Sequence, residues 1–387
     1  MSAPVIVAGA GIAGLSTAIA LARRGIPVVV LERSAALAEV GAGLQLSPNA
    51  VHALAALGLA ETVAAAAVRP PAVRSVAAAS GRTIAEIPLE GAPARYGAPY
   101  LVLPRPRLLA VLAAAAAADP MIELRLGRTV EKVEAAADAV VVATADGPLH
   151  GRALIGADGV NSFVRQAVLC GGGAVPTGRT AYRATADAAA ARGEARAETF
   201  LWLSPRAHLV HYPIGGRINL VAVVEEAPEA NTVVDWDAAA AAEAVRRHFG
   251  GFAEPAAGLL AAATEWRRWP LMAARPPAWT RGRVGLVGDA AHAMLPFLAQ
   301  GAAMAIEDAV VLAARLAGAP TIAAGLAATE RERRPRVERV VAEAARSGRI
   351  YHLAGPIAAA RDAAMRLAGG GRLLARLDWL YGWRPPA

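Results

Sequence analysis

The sequence predicts an α/β fold: a nucleotide-binding βαβ unit with an antiparallel sheet inserted into it and a helical C-terminal region. Three observations carry this. Residues 4–32 run as an apolar strand (PVIVAG), an apolar-periodic helix closed by Gly25, and a second, β-branched strand (IPVVVLE). Residues 180–225 hold four strand-like runs, AYRAT, ETFLWLS, HLVHYPI and INLVAVVEE, the last two joined by Gly215-Gly216, which is the pattern of antiparallel pairing. RVGLVGDA at 283–290 then returns to the buried-strand style of the opening unit.

Taken in order, residues 47–68 read as helix, and from Val73 to Leu89 the period shortens to two about a Ser80-Gly81 turn. Helix returns at Arg107 to Ala118, strands follow at 121–135 and 139–145, and ALIGAD at 153–158 is a buried strand running into a new turn. Everything after Gly301 reads as helix and loop. The boundaries expected are 1–72, 100–175 and 279–320 for the nucleotide domain, 73–99 and 176–278 for a substrate-binding sheet, and 321–387 for the helical region.

A chain of 387 residues suits two lobes. The formal charge of +8 comes almost wholly from arginines scattered along the chain, with a single lysine, Lys132. The densest run, Arg331 to Arg339, alternates with glutamates and reads as a solvated helix face, so a nucleic-acid partner is not expected and an anionic substrate is. One cysteine, Cys170, excludes an intramolecular disulfide and a cysteine-rich metal site, and no metal is expected. The first strand begins at Val5, and alanine runs such as Leu108 to Ala118 are too short to span a bilayer. A cytoplasmic protein without a membrane association is therefore expected.

Three turns carry chemistry. In Gly9-Ala10-Gly11-Ile12-Ala13-Gly14 the glycines allow a tight turn, close approach of a pyrophosphate and tight helix–strand packing, while Glu32 ends the next strand where ribose hydroxyls would sit. This fingerprint does not separate FAD from NAD. The second turn is Asp158-Gly159-Val160-Asn161-Ser162-Phe163-Val164-Arg165. The third is Gly288-Asp289-Ala290-Ala291-His292, continuing through Pro296 to Gln300-Gly301-Ala302. There Asp289 suits the hydroxyls of a ribityl chain, and the helix opening at Gly301 faces a developing negative charge.

Together GAGIAG, DGVNSFVR and GDAAH resemble the three fingerprints of the single-component (group A) FAD-dependent aromatic hydroxylases, the para-hydroxybenzoate hydroxylase fold, over nearly the whole chain. GAGLQLSPNA at 41–50, AQGA at 299–302 and DWLYGW at 378–383 are most similar to the salicylate, 3-hydroxybenzoate and 6-hydroxynicotinate monooxygenase branch. The resemblance implies a Rossmann-like FAD-binding domain of the GR2 type. FAD would bind along Gly9, Gly11, Ile12, Ala13, Gly14, Glu32, Arg33, Gln45, Arg105, Val130, Asp158, Asp289 and Pro296, with the ring edge at Gly301 and Ala302. It also implies NADH or NADPH as co-substrate without a second nucleotide domain, O2 activated as a peroxide on the flavin C4a carbon, a small phenolic or hydroxy-carboxylic aromatic substrate, and a homodimer. Ala303, where many relatives have asparagine, and Ala293, where they have proline, read as branch markers.

Hydroxylation by an electrophilic oxygen wants an electron-rich ring, and so a base near the phenol. His208 and His211 are three apart on a strand and point to opposite faces; His211, which matches the hydroxybenzoate branch, is the candidate base, with a half-buried packing role as its alternative. Gln300 is a candidate to hold the substrate hydroxyl, or else caps the helix after it. His292 reads as a tie for the Asp289 turn, and Tyr100, Tyr182 and Tyr212 as packing residues. A same-fold monooxygenase or epoxidase acting on a larger quinone, polyketide or urate-like substrate is the alternative enzyme. A non-catalytic flavin-fold binding protein is the alternative class.

Overall fold

A computed structural model describes residues 3–37, 43–136, 138–226, 242–263 and 265–386. Gly41 and Ala42 of the GAGLQLSPNA segment lie outside the described residues.

The opening unit forms as its apolar pattern demands. Val5–Ala8 is buried along its whole length and pairs in parallel with Val28–Glu32 on one side and Ala153–Gly156 on the other. Ile122–Leu126 extends the sheet beyond Val28–Glu32, and Val284–Leu286 extends it beyond Ala153–Gly156. An antiparallel edge strand, Thr280–Arg281, completes six strands. Helix Ile12–Ala22 packs between helices Gly301–Gly318 and Arg105–Ala118, burying nearly all its side chains. Because Ala8 stands beside Gly156 and Gly156 beside Leu286, three parallel strands end together, and the three motif turns emerge at one sheet edge.

The second sheet has seven strands, in the order Arg267–Ala273, Val175–Asp187, Arg217–Glu225, Ala207–Pro213, Thr199–Ser204, Ala72–Ala77 and Thr83–Pro88. Its neighbours are antiparallel except for Thr199–Ser204 against Ala72–Ala77, which run parallel. The strands of 180–225 pair antiparallel as expected, and the one parallel pair arises because the chain leaves this sheet after Pro88 and re-enters far downstream, so no hairpin dictates direction there. Lys132–Ala135, Val140–Thr144 and Gly147–Gly151 form a separate three-stranded meander, and Gly43–Leu46 pairs with Leu101–Pro104.

One face of the seven-stranded sheet packs Trp202, Leu209 and Leu220 against Val245, Phe249 and Leu259 of helices Ala242–Phe249 and Ala256–Ala262. The other face turns toward the nucleotide-binding sheet: the Asn219 carboxamide oxygen accepts from Gly43 N at 2.6 Å, and a Cβ on Gly43 would lie 2.7 Å from the Tyr212 ring. Helical segments Ile322–Tyr351, Gly355–Ala375, which is broken by a non-helical Gly369, and Asp378–Tyr381 form the C-terminal region. No helix among the described residues is long and apolar enough to cross a membrane.

Part of the expected solvated face of Arg331 to Arg339 is instead interior. Arg333 is 1% exposed and donates to Glu307 at 2.6 Å and Asp308 at 2.8 Å, and Arg336 donates to Glu307 at 2.7 Å. Trp383 of the DWLYGW segment lies over both guanidiniums. The alternating charge pattern does not reveal that two of these arginines have buried carboxylate partners on the helix opening at Gly301.

Candidate active site

The three turns interlock. A Cβ on Gly9, whose φ is +101°, would lie 2.5 Å from Ala157 O; one on Gly14 would lie 1.8 Å from Gly9 O; one on Gly288 would lie 2.8 Å from Ala13 Cβ. Arg165, fully buried, ties the second turn to the third through Val160 O and Ala290 O. By contrast, a Cβ on Gly11 or on Gly301 would meet nothing within 4 Å. Backbone closeness at Gly9 and Gly14, with an open side at Gly11, is the cradle a pyrophosphate needs at a helix N-terminus. The residues therefore fit a dinucleotide.

The other residues expected along it are distributed as follows. Glu32 accepts from Ala10 N at 2.8 Å and from Ser34 N at 2.9 Å, so its carboxylate is locked beside the glycine turn. Ile12 and Ala13 begin the helix; Arg33 is exposed next to Glu32, and Val130 is half-buried. Asp158 accepts from Ser162 Oγ at 2.5 Å and Val164 N at 3.1 Å, which commits its carboxylate to shaping its own turn. Asp289 is exposed at the start of the short helix Asp289–His292. Pro296 opens the turn Pro296–Leu298, which leads to half-buried Gly301 and Ala302. His292 bonds Asp308 at 2.6 Å, and the same carboxylate accepts from Gly288 N.

Between the sheets, Gln45 accepts from Tyr100 OH at 2.5 Å, and Tyr212 lies on the same side. Burial pushes both phenols above their usual range. Arg183 occupies the next row of this face, since Val210 stands across from Val221 and Val221 across from Arg183. Its guanidinium stacks over Trp269, its Nε has no hydrogen-bond partner among the described residues, and burial lowers its pKa, with nearby Arg105 acting in the same direction. A buried cation left partly unsatisfied suits an anionic ligand. Arg183 was absent from the sequence candidates; its signal was an arginine alternating with alanines inside an apolar strand.

Two sequence-based expectations are corrected. His211 faces the far core, away from the nucleotide-binding sheet. It stacks on Phe200 with ring centroids 4.8 Å apart, neither ring nitrogen has a hydrogen-bond partner among the described residues, and burial lowers its pKa to about 3. The histidine on the inner face is His208, whose ring lies 5.2 Å from Phe297, within the turn leading to Gly301. Strand alternation foretold opposite faces for the pair, but not which face lies inward. Gln300 is likewise unavailable as a substrate donor. Its amide nitrogen donates to Ser47 Oγ at 2.9 Å and Leu298 O at 3.2 Å, and its oxygen accepts from Asn49 at 3.0 Å.

A family model described as FAD binding domain matches residues 2–344. A 3-hydroxybenzoate 6-hydroxylase from Klebsiella oxytoca is 36% identical over 387 residues, covering 98% of this chain and 96% of that protein. Among solved structures, Klebsiella pneumoniae HpxO complexed with FAD and uric acid superposes with a TM-score of 0.86 at 27% identity, covering 98% of this chain and 96% of the other. A salicylate hydroxylase substrate complex superposes with a TM-score of 0.85 at 25% identity, covering 99% and 96%.

Proposed function

Because this chain belongs to the FAD-binding-domain family that includes aromatic hydroxylases, we propose that it hydroxylates a small phenolic carboxylate at the inner face of its seven-stranded sheet. FAD, when bound along the glycine cradle, supplies the redox chemistry that takes electrons from NADH or NADPH and delivers one atom of O2. The observation that carries the substrate class is the pairing, on that one face, of a neutral histidine, His208, with the buried guanidinium of Arg183.

Their roles follow from charge. Burial, together with His352 and Arg179, holds His208 well below the usual imidazole range, so it presents a lone pair to a phenolic proton. Arg183 compensates a carboxylate on the same ring, and a guanidinium does this better than an ammonium because it donates two parallel bonds. Tyr100, Tyr212 and Gln45 bound the space between the sheets, helping to exclude water. In this reading Gly9 to Gly14, Glu32, Asp289, Gly301 and Ala302 line FAD, Asp158 and Gln300 shape the turns around it, the expected domain boundaries hold, and the assembly is a cytoplasmic homodimer. A urate-like substrate is the second reading, favoured by the similarity to a structure that holds uric acid.

The test is NADH and NADPH oxidation by the FAD-loaded enzyme with 3-hydroxybenzoate, salicylate, uric acid and 3-hydroxybenzyl alcohol, with products identified. The carboxylates should be turned over, and the alcohol should lose about 10-fold or more in kcat/KM. Hydroxylation of urate alone would favour the second reading. An absence of hydroxylated product with every compound would sink both.

A further inference from the structure

We propose that His352 and Glu225 form a proton path joining His208 to solvent and fixing which nitrogen of His208 meets the substrate. The proposal rests on the reading of His208 as the substrate-side base. Glu225, about a third exposed at 31%, ends strand Arg217–Glu225. Its Oε1 lies 2.9 Å from His352 Nδ1, and His352 Nε2 lies 2.8 Å from His208 Nδ1. Both rings are buried, at 2% for His208 and 7% for His352. His352 caps the C-terminus of helix Ile322–Tyr351, where its carbonyl accepts from Arg206 N. A continuous set of contacts thus runs from the inner face of the sheet to a carboxylate that water reaches.

The direction of every bond follows from one charge. Arg179 donates to Glu225 Oε1 at 3.3 Å, and the Arg206 guanidinium lies 4.0 Å from Oε2. Burial acts to raise the Glu225 carboxyl, but the His352 bond and Arg179 outweigh it and hold the group below its usual range. An ionised carboxylate only accepts, so His352 Nδ1 carries the hydrogen. Burial lowers the pKa of both histidines, leaving each neutral with a single ring hydrogen. His352 Nε2 must then accept, His208 Nδ1 must donate, and His208 Nε2 is left with the lone pair. Tyr351, whose ring packs edge-on against His208, has its phenol pushed up by burial and stays protonated.

Proton transfer along this chain balances without electron flow. The substrate O–H bond breaks as His208 Nε2–H forms. His208 Nδ1–H breaks as His352 Nε2–H forms, and His352 Nδ1–H breaks as an O–H bond forms on Glu225, which passes its proton to water. The reverse sequence returns a proton to the pocket.

The FAD-loaded enzyme would be mixed with 3-hydroxybenzoate in a stopped-flow instrument, following the ultraviolet change of phenol ionisation and proton release to an indicator dye. His352→Gln should keep the dissociation constant within about 3-fold yet slow ionisation and proton release about 10-fold or more, with partial recovery on adding imidazole. Glu225→Gln should slow the same phase, because an amide no longer imposes one tautomer; it carries the test should His352→Gln fail to fold. Wild-type ionisation rates in both variants, alongside loss of ionisation in His208→Gln, would overturn the path and leave the base intact. Wild-type ionisation in His208→Gln would instead remove the base reading on which the path rests.

Discussion

Beneath the three glycine turns, Arg333, Arg336, Glu307, Asp308, His292 and Asn49 are all buried or nearly so, and each is bonded to another of the set. On the inner face of the seven-stranded sheet Arg183 is half-buried, yet its Nε is buried and lacks a partner among the described residues. The first cluster compensates its own desolvation and so ties the GDAAH turn to the C-terminal helices. The second lacks that internal compensation, which in the proposed function a substrate carboxylate supplies. His211 bounds the lesson: it too has no hydrogen-bond partner among the described residues, yet it sits in the far core among Phe200 and Trp202. An unsatisfied buried group marks a site only where the fold leaves a ligand room to reach it.

The largest expected effect breaks the compensated cluster. Arg333→Met should cost about 3–5 kcal/mol in denaturant unfolding, because it strands Glu307 and Asp308 without their shared cation. Burial works to raise Asp308, but His292 and Arg333 overcome it and hold its carboxyl below the usual range. Stability from this group is therefore present above about pH 4 and drains as pH falls toward the lowered value, so the gap between wild type and variant should narrow below about pH 4. A gap independent of pH would show that Asp308 is not coupled to Arg333.

Arg183→Met sharpens the other side. Its KM for 3-hydroxybenzoate should rise about 10- to 100-fold while stability holds or improves, since a buried, incompletely bonded cation is lost. An unchanged KM would remove the carboxylate contact. Gly11→Ala, whose added methyl meets no protein atom, should leave apoprotein stability unchanged but weaken FAD about 10-fold or more by flavin-fluorescence titration. Undiminished affinity would place the pyrophosphate elsewhere. The smallest effect belongs to His211→Leu, expected within about 1 kcal/mol in stability and about 2-fold in kcat/KM. A collapse of coupled hydroxylation in that variant would restore His211 as the base.

The residues that could be read early are those whose job is local. Gly9 and Gly14 announce a close helix–strand turn because nothing larger fits there. Glu32 stands one strand away, and the period-two runs of the second sheet expose their alternation directly. Arg333 escaped because its glutamate-rich neighbours imitate a solvated face, and Gln300 because its partners Ser47 and Asn49 lie about 250 residues upstream.

Chain order alone established a glycine-cradled nucleotide unit, a strand-built second layer and two histidines on opposite sides of one strand, since turn sterics and strand pleat depend on near neighbours. Which histidine turns inward, that Arg183 shares its face, and that His352 reaches His208 across 144 residues were decided by how the two sheets and the last helices pack. Burial and long-range pairing are properties of the assembled core, and no local pattern encodes them.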